Sequence, residues 1–152
     1  TSVKTLSVIN KQRVHRIAVP EFQKITKIVA EELLELELYN ISVAFLNPKC
    51  MAEINMKHLE HEGPTDVITF DYSSESILEG ELLICPSVAE KHSVQHNVSL
   101  GNELARYYIH GILHLLGYND KTPSDKKKMK QKETLILSQL ADLFPLEKLV
   151  HG

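Results

Sequence analysis

Two histidines, a glycine and an aspartate in one short segment constrain this chain more than any other feature. His110 and His114 stand four residues apart, which places both imidazoles on one face of a helix. Gly117 follows three residues later, where a residue without a Cβ lets the helix end in a left-handed turn. Asp120 is then expected to supply a third ligand to a metal ion. Three protein ligands with one open position are typical of a catalytic rather than a structural zinc site.

The residue after His110 separates this segment from the metzincin metalloproteases. The spacing H-x-x-x-H-x-x-G-x-x-D parallels theirs, but Gly111 stands where those proteases carry the glutamate that acts as general base. Peptide hydrolysis by their mechanism therefore lacks its base. Because glycine has no side chain, we expect it to leave room beside the metal. A substrate bulkier than a water molecule and a flat amide could then approach.

Hydrophobic periodicity predicts an α+β fold with a mixed sheet of about four strands and packed helices. Alternating or β-branched stretches predict strands at residues 6–10, 41–46, 67–70 and 82–85. Amphipathic stretches predict helices at residues 20–39, 50–58, 87–96, 99–116 and 124–143. Residues 1–152 are expected to form a single domain. Spacing alone leaves the strand order open.

Capping and breaking residues set the expected helix boundaries. Asn40 is expected to end the helix at residues 20–39, while Ser99 and Ser124 are expected to cap the last two helices. In the last helix the lysines are expected to form a solvated face, with an RNA-backbone contact as the alternative. The outward residues are Lys126, Lys127, Lys128, Lys130 and Lys132, and the inward ones are Met129, Leu135, Ile136 and Leu140.

Composition excludes several classes of protein. The net charge of −3 gives no overall electrostatic case for nucleic acid, so any RNA contact must be local. Cys50 and Cys85 are too few for a disulfide framework or a cysteine-rich zinc module. The chain shows no apolar run long enough to span a membrane and nothing that resembles a signal peptide. We therefore expect a cytoplasmic protein with reduced cysteines.

Three segments resemble one family. The stretch H-G-I-L-H-L-L-G-Y at residues 110–118 resembles the hallmark H-G-x-L-H-L-x-G-Y-D-H of the YbeY family, the bacterial rRNA maturation endoribonucleases. Asn55 with P-T-D-V-I-T-F at residues 64–70 resembles its N-x₈-P-T-D-V-L-S-F segment, and G-E-L-L-I-C-P at residues 80–86 resembles its G-D-I-x-I-S-P strand. The order and spacing of these motifs match over roughly residues 40–120.

The resemblance implies a mixed sheet with a zincin-like or metzincin-like metal-site helix. It implies one Zn²⁺ ion, or another divalent transition metal, and single-strand-specific endoribonuclease activity. It further implies action at the 3′ end of 16S rRNA and in ribosome quality control, with ribosomal RNA and the small ribosomal subunit as partners. Oligomeric state and metal identity stay open.

Two departures from the family pattern bear on the site. Asp120 stands where the family has a histidine, and Asn119 where it has an aspartate. A ligand set of two histidines and an aspartate lowers the net charge of the site by one unit, which should make bound water less acidic. Lower intrinsic activity or a different preferred ion is expected.

The second departure concerns the RNA phosphate. Leu59 stands where the family has an arginine that contacts the RNA backbone, and its neighbour His58 replaces a tyrosine. Lys57, His58 and His61 are candidates for that lost contact, because an ammonium or a protonated imidazole binds phosphate. The alternative is that all three are ordinary exposed loop residues.

Among the remaining titratable residues, one lies on the metal-site helix. Glu103 precedes His110 by seven residues and so shares its helical stripe, where it would orient a ligand or relay a proton. The simpler alternative is a favourable charge near the helix N-terminus. Four histidines lack a spacing that brings them to the motif and are expected to be bystanders: His15, His92, His96 and His151.

The sequence supports three functional hypotheses. The favoured one is a metal-dependent endoribonuclease, in which a metal-activated water or a substrate 2′-hydroxyl attacks the phosphodiester. The second is a ribosome-assembly factor that binds rRNA with little hydrolysis, motivated by Leu59 and Asp120. The third is a metallopeptidase or other small-substrate hydrolase, opposed by Gly111. The protein base of the reaction stays unassigned.

Overall fold

The computed structural model describes residues 4–59 and 66–151, without the side chains of residues 58 and 59. Its strands are β1 (Lys4–Asn10), β2 (Tyr39–Phe45), β3 (Val67–Asp71) and β4 (Leu78–Ile84). Its helices are α1 (Val19–Lys27), α2 (Pro48–Leu59), α3 (Pro86–His96), α4 (Leu100–Leu115) and α5 (Pro123–Leu143). A π-helical segment, Ile28–Leu33, extends α1, and a 3₁₀ helix, Leu146–Leu149, follows α5. Within this part of the chain, no helix combines the length and apolar character needed to cross a bilayer.

The four strands form one mixed sheet in the order β1-β2-β4-β3. β2 pairs in parallel with β1 and with β4, whereas β3 and β4 form an antiparallel pair. β4 begins at Leu78, earlier than the predicted residue 82, because Glu79 and Gly80 pair with Asn40 and Ile41 of β2. The predicted α+β class and mixed sheet are confirmed.

The core lies mainly on one face of this sheet. Alternate residues of β2 point into it, and Phe22 of α1 meets Phe45 edge-on with ring centroids 4.9 Å apart. Helix α4 packs on the same face against β4 and β3, and most of its length is buried. On the opposite face, Met51 of α2 packs in a smaller cluster with Ile68 and Leu83. The metal-site helix is thus anchored by apolar burial.

The helix predicted at residues 20–39 is too long. α1 ends at Lys27, the π-helical segment ends at Leu33, and Glu35 then adopts a positive φ of 52°. Asn40 was expected to break the helix but lies inside β2, where its side chain donates to Glu79 Oε2 at 2.9 Å. Pairing with two neighbouring strands and burial of Tyr39 outweigh the helical periodicity of the preceding residues.

The details of α5 also differ from expectation. Thr122, rather than Ser124, caps the helix, since its Oγ1 accepts a hydrogen bond from Asp125 N at 3.0 Å. Leu135 was expected to face inward but is 51% exposed, whereas Met129, Ile136 and Leu140 are buried as predicted. The buried stripe of α5 instead continues through Glu133 and Leu137. Lys132, expected outside, is only partly exposed.

Gly111 faces the sheet rather than the metal site. A Cβ at this position would lie 2.4 Å from Leu82 Cδ2 of β4, a buried side chain. The expectation that the glycine leaves room beside the metal is therefore wrong. Its absent side chain lets α4 approach β4 closely, and this contact sets the depth at which the two histidines stand.

Gly111→Ala should lower the free energy of unfolding by about 1–3 kcal/mol, because the added methyl overpacks the contact with Leu82. A Gly-to-Ala change in an unobstructed helix would instead stabilise by up to about 1 kcal/mol. Urea unfolding of Gly111→Ala, Leu82→Ala and the double variant measures the coupling. We expect the double variant to be at least about 0.5 kcal/mol more stable than additivity gives. Strict additivity would refute the contact.

Candidate metal centre

The two histidines of α4 meet as the sequence predicts. His110 and His114 lie one helical turn apart, their Nε2 atoms are 3.0 Å from each other, and their ring planes cross at 81°. Both side chains are partly buried, at the end of a helix whose other faces are packed. Two imidazole nitrogens thus point to one place at the edge of the core.

The end of α4 returns the chain to these nitrogens. Gly117 has a φ of +104°, and its N–H donates to the carbonyl of His114 at 3.0 Å, while Tyr118 N–H donates to Leu113 at 3.0 Å. This pair of bonds is the Schellman arrangement, which uses a left-handed residue to satisfy the last carbonyls of a helix. The predicted glycine turn is confirmed, and Asp120 follows it.

His110, His114 and Asp120 form a group that could hold a metal ion. Their ligand atoms all lie within 4.8 Å of one another, and no second such group occurs in residues 4–59 and 66–151. Two nitrogens at zinc-ligand distance in a tetrahedral site would stand about 3.3 Å apart, close to the separation found. Neutral imidazoles and a carboxylate are ordinary zinc ligands. The donor set therefore fits one ion of this type.

Glu133 is the site residue that sequence reasoning missed. It is 8% exposed on α5, and its Oε2 lies 2.6 Å from Nδ1 of His110. Its Oε1 accepts a hydrogen bond from Arg106 at 3.2 Å. With Nδ1 of His110 held by a carboxylate, Nε2 is the nitrogen that would bind a metal ion, an arrangement common to zinc-binding histidines. A charged residue within the apolar stripe of α5 was the available signal.

The pKa values of the two histidines move in opposite directions. Burial lowers the pKa of His110, but the hydrogen bond and charge of Glu133 outweigh burial, and the net shift is upward. Burial and the neighbouring His110 lower the pKa of His114, partly offset by the charge of Asp120. His114 therefore presents a neutral ring near neutral pH, the form that binds metal.

Glu103 lies near the site but contacts a different residue. It is 2% exposed, and its Oε2 is 3.2 Å from Nδ1 of His96 on α3. Its proposed part in orienting a ligand or relaying a proton stays a prediction. His92 and His96, expected to be bystanders, line the cavity that opens beside His110 and Asp120, where His92 also contacts the hydroxyl of Tyr107. Their spacing did not reveal this, because α3 reaches the site only through tertiary packing.

The candidate phosphate contacts near Leu59 are only partly described. Lys57 is exposed near the end of α2 and is not among the described residues that line the cavity. His61 and the side chains of His58 and Leu59 lie outside the described residues. Their proposed contacts with RNA stay predictions.

Glu133→Gln should weaken zinc binding by about 10–100-fold, because the amide holds the His110 ring less firmly and lowers its basicity. Competition with a chromophoric chelator measures the affinity. Asp142→Asn is the matched control, since it removes an exposed carboxylate from the same helix. Equal affinities for the two variants would show that Glu133 does not position His110.

Comparison with known proteins identifies the family to which this chain is similar. Residues 7–141 match the family described as Endoribonuclease YbeY. A protein of that name from Chlorobium luteolum is 38% identical over 66% of this chain and 73% of its own length, and one from Bacteroides fragilis is 38% identical over 68% and 75%.

A solved structure supports the fold. The solution structure of a Thermotoga maritima protein has a TM-score of 0.67 and 23% identity, and the match covers 90% of this chain and 89% of that one. At this identity the likeness speaks for the architecture alone. The sequence matches carry the assignment, and this chain belongs to the YbeY endoribonuclease family.

Proposed function

We propose that this protein is a metal-dependent endoribonuclease that cleaves single-stranded RNA. We propose the 3′ end of 16S rRNA, the RNA of the small ribosomal subunit, as its substrate. Residues 1–152 would form one domain. The protein would act in the cytoplasm, where it would also take part in ribosome quality control. The observation that carries the proposal is the convergence of His110, His114 and Asp120 in a chain of this family. We propose Zn²⁺ as the ion, since the donor set suits it.

The residues around the ion have separate tasks. When bound, a Zn²⁺-type ion acidifies a water and offsets the charge that develops on a phosphodiester oxygen. His110, His114 and Asp120 would hold it, and Glu133 fixes the ring of His110 through Nδ1. Arg106 donates a hydrogen bond to the other oxygen of Glu133 and so holds that carboxylate in place. Its remaining N–H groups would be available to bind a phosphate.

The shape of the site favours a single strand. The cavity beside His110 and Asp120 has a volume of about 690 Å³ and is bounded by α3, α4 and α5. This cavity is a recess between helices that reaches His110 and Asp120, and a flexible unpaired strand enters such a recess more readily than a duplex. This access supports the proposed preference for single strands.

The structure weakens the peptidase hypothesis further. Metzincin proteases place their general base directly after the first histidine of the motif. Here that position is Gly111, and any side chain there would run into Leu82 in the sheet. The assembly-factor hypothesis and the nuclease hypothesis are distinguished by measuring metal content and RNA cleavage together.

His114→Ala should abolish both metal binding and RNA cleavage, because it removes a ligand. Asp120→Ala should impair both, and Asp120→His should restore them, since an imidazole replaces the lost carboxylate as donor. Metal content by mass spectrometry and cleavage of a single-stranded 16S 3′-end RNA are measured on the same samples. His151→Ala, which removes an exposed histidine that does not line the cavity, is the control.

Three outcomes would overturn the proposal. Stoichiometric metal without cleavage, and RNA binding retained in His114→Ala, would support an assembly factor instead. No bound metal in the wild-type protein would refute the site itself. Chelator-sensitive cleavage of casein would favour a peptidase.

A further inference from the structure

The cavity beside the metal centre has chemically distinct walls. Helix α3 contributes His92 and His96, and α4 contributes Glu103 and Arg106. Helix α5 forms another wall, whose residues are Lys126, Met129, Lys130 and Glu133. The α5 wall lies next to the proposed ligands, because Glu133 contacts His110 directly.

The lysine run of α5 does not form one uniform solvated face. Lys126 and Lys130 are four residues apart, so they share a face about 6 Å apart along the helix, and both line the cavity. Lys128 lines a separate, smaller recess beside Gly117 and Asn119, and Lys127 lines neither. Two lysines thus face the cavity, and two neighbours of equal charge do not.

Two acidic residues of the cavity, Glu103 and Glu133, are paired, whereas these two lysines are not. Glu133 is held by Arg106 and His110, and Glu103 is paired with His96. Neither Lys126 nor Lys130 forms an ion pair with any residue in the described ranges. Two ammonium groups without an ion pair in the described ranges therefore border the cavity, which the carboxylates of Asp66 and Asp120 also line.

Arg106 adds a third cation to the lining of the same cavity. Its hydrogen bond to Glu133 uses one terminal nitrogen, and the side chain remains 27% exposed in the cavity. A guanidinium carries five N–H donors in a planar fork, so donors remain for an oxyanion.

We propose that Lys126, Lys130 and Arg106 form a phosphate-binding wall that holds the backbone of single-stranded RNA along α5, with one phosphodiester placed at the metal centre. This proposal rests on the proposed nuclease function and deepens it by naming the residues that hold the substrate. Clustered cations beside a metal site attract a polyanion through release of its counterions, which is a local effect independent of the net charge of −3. The wall therefore gives an acidic protein a local surface for RNA.

The test compares two double variants of equal charge. Lys126→Gln/Lys130→Gln removes the cavity pair, and Lys127→Gln/Lys128→Gln removes the neighbouring pair. Binding of metal-loaded protein to a labelled 2′-O-methyl RNA, confirmed intact on gels, is followed by fluorescence anisotropy at several salt concentrations. For single strands each lost phosphate contact reduces the slope of log affinity against log salt by about 0.7, so the cavity pair should reduce it by about 1.4. The neighbouring pair should leave it nearly unchanged.

Arg106 needs a separate readout because it also supports Glu133. Arg106→Lys keeps the charge but loses the fork, and we expect metal content to stay near wild type while KM for RNA rises more than kcat falls. Loss of metal from Arg106→Lys would show instead that the residue acts only through Glu133, and would remove it from the wall.

The outcomes separate this proposal from the nuclease assignment. Equal slopes for the two double variants, with thermal unfolding like wild type, would overturn the wall even if RNA is cleaved. A slope reduced only in the cavity variant, in a protein that cleaves no RNA, would keep the wall and refute the nuclease. Tight binding of an acidic peptide through the same lysines, with no preference for RNA, would also overturn the proposal.

Discussion

The close contact between α4 and β4 is the constraint on which the site depends. A helix this deeply buried must lie against the sheet at a fixed distance, and Gly111 allows that distance where even a methyl would meet Leu82. His110 and His114 flank this contact on the same helix. The packing of the core therefore fixes the backbone positions of the two histidines, and Glu133 holds the ring of His110. This suits a centre that must hold an ion in one geometry.

The buried carboxylate of Glu133 ties the metal centre to the docking of α5. A buried charge is costly unless it is paired and hydrogen-bonded, and Glu133 meets that demand with Arg106 and His110 together. Both partners belong to α4, so the polar contact is satisfied only when the two helices are in register. The same contact orients a proposed ligand. The hydrogen bonds of Glu133 therefore both dock α5 on α4 and position His110.

The chemistry of the proposed site follows from its donors. An aspartate at position 120 gives a ligand set with one unit less net charge than three imidazoles would. A less positive centre attracts a phosphodiester less strongly, and a protein of net charge −3 offers no general compensation. Lys126 and Lys130, on the cavity face of α5, form no ion pair in the described ranges and add positive charge to the lining of the cavity. Any electrostatic attraction for RNA therefore depends on positive charge placed locally at the cavity, and not on the net charge of the protein.

The sequence by itself determined the local features. Helical spacing brought His110 and His114 to one face, the left-handed preference of glycine turned the chain at Gly117, and alternation marked much of β2, because these properties depend on neighbours along the chain. Tertiary structure alone decided the partner of His110, the place of His92 and His96 in the cavity, and which lysines of α5 face it. It also turned Gly111 towards the sheet and made Asn40 part of a strand rather than the end of a helix. These contacts join residues far apart in sequence, and their geometry is set by how whole helices and strands pack, which no local pattern encodes.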